Sequence, residues 1–411
     1  MMKKKIKKKI KKNNFFYFVK FKMDIKPENL KLPIIIDVGS GLIKAGISGE
    51  ETPKLIFPNY IGEPKYLKVL RSFNRDIQEL KDEYIGNDCL KYLGLLKLKY
   101  PIKNGIFENE NDIYTIFKYI FQKLEISNEQ LKEHPILITE PILNPYSNRE
   151  KIANTLFETI NTPALFFASQ PILSLFSTSN TSGIILESGD GVTQSCVVYE
   201  GYSIPNSLIR GNYGGKNVTE YLQNLLKKQG YNFSTTSEIE IVKKIKEDIC
   251  IISHSNNNIN KYYICNNDNF NNEIIYNLPD GSSIKIHEEK ILAPEILFKP
   301  SLVNLENLSF QEMIFNSVNK VDIQLKKELY NNVLISGGNT LFKGIQERLH
   351  TEIRKLSPKY MKVRLHTPGN RSLSCWNGGN IISTLEIFKK MWITKNEWME
   401  KGKSILHIKT I

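Results

Sequence analysis

The stretch GIILESGDGVTQSCVVYEGY, residues 183–202, places an acidic, glycine-containing turn between two apolar runs. The runs, Ile184 to Leu186 and Cys196 to Tyr199, have the length of short buried strands. The turn that joins them, ESGDG at 187–191, is typical of a tight β-hairpin loop. We therefore predict a hairpin that carries two polar side chains at its end, Glu187 at the start of the turn and Gln194 just after it.

A second turn of this kind lies earlier in the chain. DVGSG at 37–41 also follows an apolar run, opens with an acid and precedes another strand, within PIIIDVGSGLIKAGIS. The repetition predicts an ancient duplication with one copy in each half of the protein. Strands and amphipathic helices alternate around both turns, and the sequence therefore predicts an α/β fold.

Further segments have recognisable patterns. HPILITEPIL predicts a strand, NREKIANTLFETI a helix, and PALFFASQPILSLFST a strand and then a helix. GGKNVTEYLQNLLKKQG and the capped segment TTSEIEIVKKIKEDIC predict two more helices, and NLPDGSSIKIHEEK predicts a hairpin. VLISGGNTLFKGIQERLHTEI predicts a strand, a glycine turn and a helix, and the segment from GGNIIS to WMEKG predicts a helical C-terminus.

The net charge of +13 is concentrated at one end of the chain. Residues 1–22 contain ten lysines and no acid, and without them 46 basic residues face 43 acidic ones. We expect residues 1–31 to form a basic, disordered arm. Attraction of this arm to an anionic membrane or to nucleic acid is the alternative, and Met23 leaves open that the arm arises from a wrongly chosen start. The folded body itself predicts no specific nucleic-acid site.

Other bulk features exclude several classes of protein. The five cysteines and six histidines show no CxxC or HExxH spacing, so neither a zinc site nor a disulfide framework is expected. No apolar run approaches the length of a membrane span. Residues 256–272 contain nine asparagines, which predicts a polar surface loop. A reducing compartment, the cytoplasm or the nucleus, fits this composition.

Glycine hairpins can bind phosphates, because their backbone N–H groups approach an anion closely. Ser40 adds a hydroxyl, Lys44 adds a positive charge, and Asp37 with Glu187 would suit a Mg²⁺ held largely through waters. A third turn, SGGNT at 336–340, leads into a predicted helix whose N-terminus would favour an anion or the adjoining sugar. Each turn alone is more often a plain hairpin, but three together favour a nucleotide.

The chain resembles actin and the actin-related proteins from about Leu32 to Ile411. The resemblance is carried by DVGSGLIKAG, LLKLKYPIKNGI, KEHPILITEPILNP, ESGDGVTQSCVVYEGY, LISGGNTLFKGI and FKKMWITKNEW. Within that family FPNYIGEPKYLKV, EIEIVKKIKE and NTLFKG are most similar to centractin, the actin-related subunit of the dynactin filament.

The resemblance implies a duplicated, two-lobed actin fold with ATP or ADP and Mg²⁺ (or Ca²⁺) in the cleft between the lobes. It implies subdomain 1 at 32–59, 96–177 and 374–411, subdomain 2 at 60–95, subdomain 3 at 178–213 and 306–373, and subdomain 4 at 214–305. By position it assigns the cation to Asp37 and Glu187 with help from Gln170, and the catalytic positions to Gln170 and Gln194. The implied nucleotide-binding residues are Ser40, Gly41, Leu42, Lys44, Gly189, Asp190, Gly191, Val192, Gly215, Lys243, Lys246, Glu247, Gly337, Gly338 and Phe342.

Four positions depart from the pattern of the family. Glu187 stands where actins have aspartate, and Gln194 stands where they have the histidine near the attacking water. Asn104 also replaces a histidine, and Ser372 a lysine near the adenine. Because glutamine cannot accept a proton at neutral pH, we expect weak or impaired ATP hydrolysis. Tolerated drift at a wet site is the alternative.

The resemblance to actin leads us to expect a cytoplasmic, cytoskeletal protein that serves as a filament or mini-filament subunit. Its expected partners are copies of itself, other actin-family subunits or a dynactin-like complex. The alternative is a non-polymerising scaffold in a nuclear or chromatin-remodelling complex. A sugar kinase of the same superfold is the least favoured hypothesis, because the match to actin leaves no segment for a small-molecule pocket with a catalytic carboxylate.

Overall fold

A computed structural model describes residues 30–65, 82–254 and 273–409. Residues 1–29 of the predicted basic arm, residues 66–81 of the predicted subdomain 2 and the asparagine-rich segment at 256–272 lie outside the described residues. None of the described helices is both long and apolar enough to cross a lipid bilayer.

The described strands lie mainly in two larger sheets and three small ones. In chain order they are β1 Ile34–Val38, β2 Leu42–Ile47, β3 Leu55–Pro58, β4 Ile61–Pro64, β5 Tyr84–Ile85, β6 Leu96–Lys99, β7 Ile102–Lys103, β8 Ile106–Phe107, β9 Ile136–Glu140, β10 Ala164–Ser169, β11 Gly183–Ser188, β12 Thr193–Tyr199, β13 Tyr202–Ser203, β14 Ile209–Gly211, β15 Ile274–Asn277, β16 Ser283–Ile286, β17 Val333–Ser336, β18 Leu365–His366 and β19 Ile393–Thr394.

The described α-helices are α1 Glu110–Lys123, α2 Asn128–Leu131, α3 Tyr146–Asn154, α4 Gln170–Ser177, α5 Gly215–Lys228, α6 Thr236–Ile249, α7 Glu289–Leu292, α8 Phe310–Asn319, α9 Ile323–Tyr330, α10 Ile345–Leu356, α11 Ser374–Ser383, α12 Lys395–Lys401 and α13 Ile405–Ile408. A π-helical turn, Thr155–Ile160, continues α3. Short 3₁₀ helices cover Gly86–Leu95, Pro205–Ser207, Ala293–Leu297, Pro300–Val303, Gly338–Leu341, Glu386–Lys390 and Gly402–Ser404.

The two larger sheets share one arrangement. The first has the order β19-β10-β9-β1-β2-β3, and the second has the order β13-β12-β11-β17-β18. In the first, the antiparallel hairpin β1–β2 has the parallel strand β9 beside its first strand. In the second, β11–β12 has β17 in the same place. The repeated topology agrees with the duplication that the two acidic glycine turns predict, and it confirms the α/β fold.

One apolar core joins the two sheets. It contains Ile35 of β1 and Ile185 of β11, together with Leu173 of α4 and Trp376 of α11, all nearly inaccessible to solvent. The indole N–H of Trp376 donates to the Ile35 carbonyl at 3.2 Å. Helices α4 and α11 cross closely at Gly378, where a Cβ atom would lie 1.8 Å from the Leu173 carbonyl oxygen. Only glycine fits at this crossing.

The helix α6 and the hairpin β15–β16 form where the sequence predicts them, and Thr235 with Glu238 makes a capping box at the start of α6. The strand β17 and the helix α10 also form as predicted, but the third glycine turn does not adjoin the helix. It enters the 3₁₀ helix Gly338–Leu341, and α10 begins only at Ile345 after a left-handed Gly344. The C-terminal segment is not one helix: α11 is followed by a 3₁₀ turn, the strand β19 and α12, because β19 pairs with β10.

Candidate functional site

The two acidic glycine turns face each other across the junction of the sheets. A Cβ atom on Gly41 would lie 2.6 Å from the Cβ of Asp190, and one on Gly191 would lie 2.7 Å from the Oγ of Ser40. Contacts this short leave no room for a side chain at either glycine. The predicted phosphate loops, residues 39–42 and 189–192, are therefore close neighbours although 150 residues separate them in the chain.

The carbonyl groups of both loops are engaged by the surrounding protein. Asn59 donates from its side chain to the Ser40 carbonyl at 2.8 Å and from its backbone to the Gly41 carbonyl at 3.0 Å. In the second loop the Gly189 carbonyl accepts from Gly215, and the Asp190 carbonyl accepts from Lys216. The surrounding protein thus holds each loop through hydrogen bonds to its carbonyl oxygens.

The N–H groups of the loop tips remain available. Among the described residues, the backbone N–H groups of Ser40, Gly41, Asp190 and Gly191 donate no hydrogen bond. Four free donors in two facing turns form an array that suits an anion with several oxygens, such as a polyphosphate.

The third glycine turn packs directly against the second loop. Gly337 has a φ of +92°, and a Cβ atom there would lie 2.2 Å from the Ser188 carbonyl oxygen. Asn339 donates to the Ser188 hydroxyl at 2.9 Å and to the Gly189 carbonyl at 2.6 Å. A Cβ atom on Gly338 would have no other heavy atom within 4 Å. The structure therefore brings the predicted Gly337 and Gly338 next to the second loop.

The predicted residues of α5 and α6 also gather beside Asp190. The Lys246 ammonium donates to the Gly215 carbonyl at 3.1 Å. Burial lowers the pKa of Lys246 although the charge of Asp190 opposes this shift. Burial would also lower the pKa of Lys243, but the charges of Asp190, Glu240 and Glu247 outweigh it and raise that pKa. Phe342 packs half-buried on the core of this second lobe.

The two predicted cation ligands differ in their surroundings. Asp37 is paired with the Lys44 ammonium at 2.9 Å and accepts from the Thr139 hydroxyl at 2.7 Å. Burial alone would raise the pKa of Asp37, but Lys44 and these hydrogen bonds lower it. Glu187 has no such cation at contact distance. Burial, with the charge of Asp37 as the next cause, raises its pKa to about 8.

The carboxylates of Asp37 and Glu187 fit a hydrated divalent cation. Carboxylate and amide oxygens are ligands that Mg²⁺ and Ca²⁺ prefer, and a cation would relieve the repulsion between Asp37 and Glu187. In the described part of the chain, however, no group of three or more His, Cys, Asp or Glu side chains could hold a metal directly. A cation bound here would therefore need water or phosphate oxygens to complete its coordination.

The predicted catalytic glutamines link the two carboxylates. Gln170, the first residue of α4, donates to the Thr139 hydroxyl at 3.3 Å and lies 3.5 Å from Asp37 Oδ1. Gln194 donates to Gln170 Oε1 at 3.1 Å and to Glu187 Oε2 at 3.2 Å. All four side chains thus form one hydrogen-bonded chain, and neither amide can act as a general base.

Two residues that hold this region together are not predicted from the sequence. Asn59, which holds the first loop, follows β3 as an ordinary turn asparagine. Arg210 on β14 donates to the carbonyl groups of Asn104, Ile142 and Leu143 at 2.7, 3.1 and 3.0 Å. Its signal is a lone arginine in the otherwise uncharged stretch SLIRGN, which gives no indication of the partners.

Two sheets of the same topology thus meet at a pair of facing glycine loops. The model of the actin family matches residues 31–411. An actin-like protein of Neurospora crassa is 41% identical over 380 residues, which cover 92% of this chain and 97% of that protein. The chain therefore belongs to the actin family, whose members generally bind a nucleotide together with a divalent cation.

Proposed function

We propose that this protein binds ATP or ADP with Mg²⁺ or Ca²⁺ between its lobes. The observation that carries the proposal is the pair of facing loops whose four tip amides are free while the carbonyls of the same loops are engaged. In the complex these amides and the Ser40 hydroxyl would hold phosphate oxygens. Residues beside the second loop would hold the nucleoside: Gly215, Lys243, Lys246, Glu247, Gly337, Gly338 and Phe342.

Asp37 and Glu187, with Gln170, would hold the cation. When bound, the cation supplies positive charge that offsets the carboxylates and the phosphates. Lys44 contributes further positive charge, and its ion pair keeps Asp37 deprotonated. The chain's own part is thus to orient the phosphates and to fix two acidic groups beside them.

We further propose that ATP hydrolysis is slow. Gln170 and Gln194 occupy the predicted catalytic positions beside the carboxylates, and a neutral amide cannot take a proton from water. The absence of a general base typically lowers a hydrolytic rate by about 10²- to 10⁴-fold. Glutamine can still orient a water molecule, which leaves a residual activity.

Two measurements on the purified full-length protein test these proposals. Titration with a fluorescent ATP analogue and Mg²⁺ should show saturable binding that excess ATP displaces. Radiolabelled ATP should be turned over far more slowly than by conventional actin under the same conditions. Turnover equal to that of conventional actin would contradict the second proposal.

We propose, from membership of the actin family, that the protein is a subunit of a cytoskeletal filament or mini-filament in the cytoplasm, self-assembled or of the dynactin-like kind. Sedimentation in polymerising salt with ATP and Mg²⁺, with and without residues 1–22, tests this role. Pelleting above a critical concentration is the expected result. A protein that stays monomeric would instead fit a scaffold subunit of a nuclear complex.

A further inference from the structure

The side-chain amide of Gln194 makes three hydrogen bonds to the protein. Its nitrogen donates to Gln170 Oε1 at 3.1 Å and to Glu187 Oε2 at 3.2 Å, and its oxygen accepts from the Ile142 backbone N–H at 2.8 Å. A primary amide has two N–H donors, and both are engaged here. The side chain is also only 2% exposed. Three hydrogen bonds therefore hold the Gln194 side chain in one position.

Two of these bonds connect the lobes. Gln194 lies on β12 of the second sheet, whereas Ile142 follows β9 of the first sheet and Gln170 follows β10. Only the bond to Glu187, the register partner of Gln194 in the hairpin, stays within one sheet. The amide thus spans the junction between the sheets.

Arg210 holds the same segment from the neighbouring strand. It is the register partner of Gln194 on β14, and it donates to the carbonyls of Ile142 and Leu143. Ile142 is therefore held at its N–H by Gln194 and at its carbonyl by Arg210. Two adjacent side chains of the second lobe thus bind the N–H and the carbonyl groups of one peptide segment of the first lobe.

The segments held in this way have an uncommon backbone conformation. Leu143 has a φ of +51° and Asn104, whose carbonyl also accepts from Arg210, has a φ of +49°. Left-handed conformations of residues other than glycine persist where the surroundings hold them in place. Leu143 is moreover 61% exposed, so core packing does not provide that support. The support comes from the bonds across the junction.

We propose that Gln194 is a positioning residue that, with Arg210, clasps the Ile142–Leu143 segment and fixes the angle between the lobes. This role goes beyond the proposed nucleotide binding, because the four bonds that carry it join the second sheet to segments that follow strands of the first. The clasp itself does not depend on bound nucleotide.

Hydrogen–deuterium exchange at the Ile142 amide tests the clasp. Pro141 and Pro145 have no N–H, so the segment 141–145 contributes three amides only, and exchange is followed at each of them by NMR. In Gln194→Leu, the Ile142 amide loses its acceptor and should exchange about tenfold faster, as expected for the loss of one buried hydrogen bond. Gln194→Asn, whose shorter side chain does not reach Ile142, should show the same change and serves if the leucine variant does not fold.

Ser195→Ala is the matched control. Ser195 is the next residue on β12, and its hydroxyl accepts from Ser317 at 3.1 Å within the second lobe. This variant also loses a buried hydrogen bond, but it should leave the Ile142 amide unchanged. An Arg210→Lys variant should accelerate exchange, and the double variant with Gln194→Leu should show less than the product of the single effects, because both side chains hold one segment.

The exchange rates decide whether the clasp exists. Faster exchange at Ile142 in the folded Gln194 variants, with Ser195→Ala unchanged, supports the clasp. Unchanged exchange at Ile142, or exchange that rises equally in Ser195→Ala, would overturn it. The exchange is measured with and without ATP and Mg²⁺, so that a failure of nucleotide binding leaves the result at Ile142 interpretable by itself.

Discussion

At the scale of single residues, the duplication explains why the two carboxylates behave differently. Asp37 faces Lys44 in the register of the first hairpin, and Glu187 faces Gln194 in the second. The residue that faces the carboxylate is thus a positively charged lysine in the first hairpin and a neutral glutamine in the second. Asp37 consequently has a lowered pKa, whereas burial and its acidic neighbour raise the pKa of Glu187 to about 8.

This difference predicts a pH dependence of stability. Because the pKa of Glu187 is raised in the folded state, the folded protein binds more protons than the unfolded chain between about pH 5 and pH 8. The stability of the nucleotide-free protein should therefore fall as pH rises through this window. Thermal unfolding without divalent cations checks this, and Glu187→Gln should flatten the profile. Added Mg²⁺ should also flatten it, and a wild-type profile already flat would contradict the assignment.

The loop glycines give a second prediction at this scale. A Cβ atom in Gly191→Ala would lie 2.7 Å from Ser40 Oγ and would push the two phosphate loops apart. We expect ATP affinity to fall about tenfold or more, since overpacking of this kind costs about 1–3 kcal/mol. Titration with a fluorescent nucleotide measures it. Gly94→Ala, at a position with nothing within 4 Å, should bind like the wild type.

At the scale of elements, hairpins were the most predictable parts of the fold. Acid, glycine and apolar flanks specify the β1–β2 and β11–β12 hairpins, and Asp280 with Gly281 specifies the β15–β16 hairpin. The C-terminal segment was predicted as one helix because its pattern is locally helical. Pairing of Ile393 with Leu165 interrupts it, and such a contact, 228 residues away in sequence, has no local signal. The partner of Gln194, the Ile142 amide, was unpredictable for the same reason.

The crossing of α4 and α11 predicts a stability effect. Gly378→Ala would place a methyl group 1.8 Å from a backbone oxygen, and neither helix can move without disturbing the core between the sheets. We expect a loss of about 1–3 kcal/mol or more in the free energy of unfolding, measured by urea denaturation. The matched variant Gly369→Ala, at an open position, should lose little. Equal stability of both variants would contradict the close crossing.

At the scale of the whole molecule, the lobes also meet near β6 and α6. The Tyr100 hydroxyl donates to Glu240 at 2.7 Å, and the Ser237 hydroxyl donates to the Leu93 carbonyl at 2.5 Å. A further bond joins the Leu98 N–H to the Thr236 hydroxyl at 3.3 Å. These contacts connect the segment at 93–100 with the start of α6, far from the clasp at Ile142 in sequence.

Loss of the strongest of these contacts should loosen the junction. Tyr100→Phe removes a hydrogen bond to a carboxylate, a loss of about 1.5–3 kcal/mol, and nucleotide should dissociate about tenfold faster. Release of a fluorescent ATP analogue, chased with excess ATP, gives the rate. Tyr202→Phe, at an exposed position outside the junction, is the control. A Tyr100 variant that releases nucleotide at the wild-type rate would show that this bond does not limit opening.

The path of the chain has a consequence for biosynthesis. The first sheet receives its strand β19 and its covering helix α11 from the last forty residues, after the whole second sheet has been made. While the ribosome is still translating, the apolar side chains that Trp376 will cover are exposed on the nascent chain. Such a surface invites aggregation. The first lobe can therefore mature only after residues 374–394 have been synthesised, and a truncated product ending before residue 374 should accumulate in inclusion bodies.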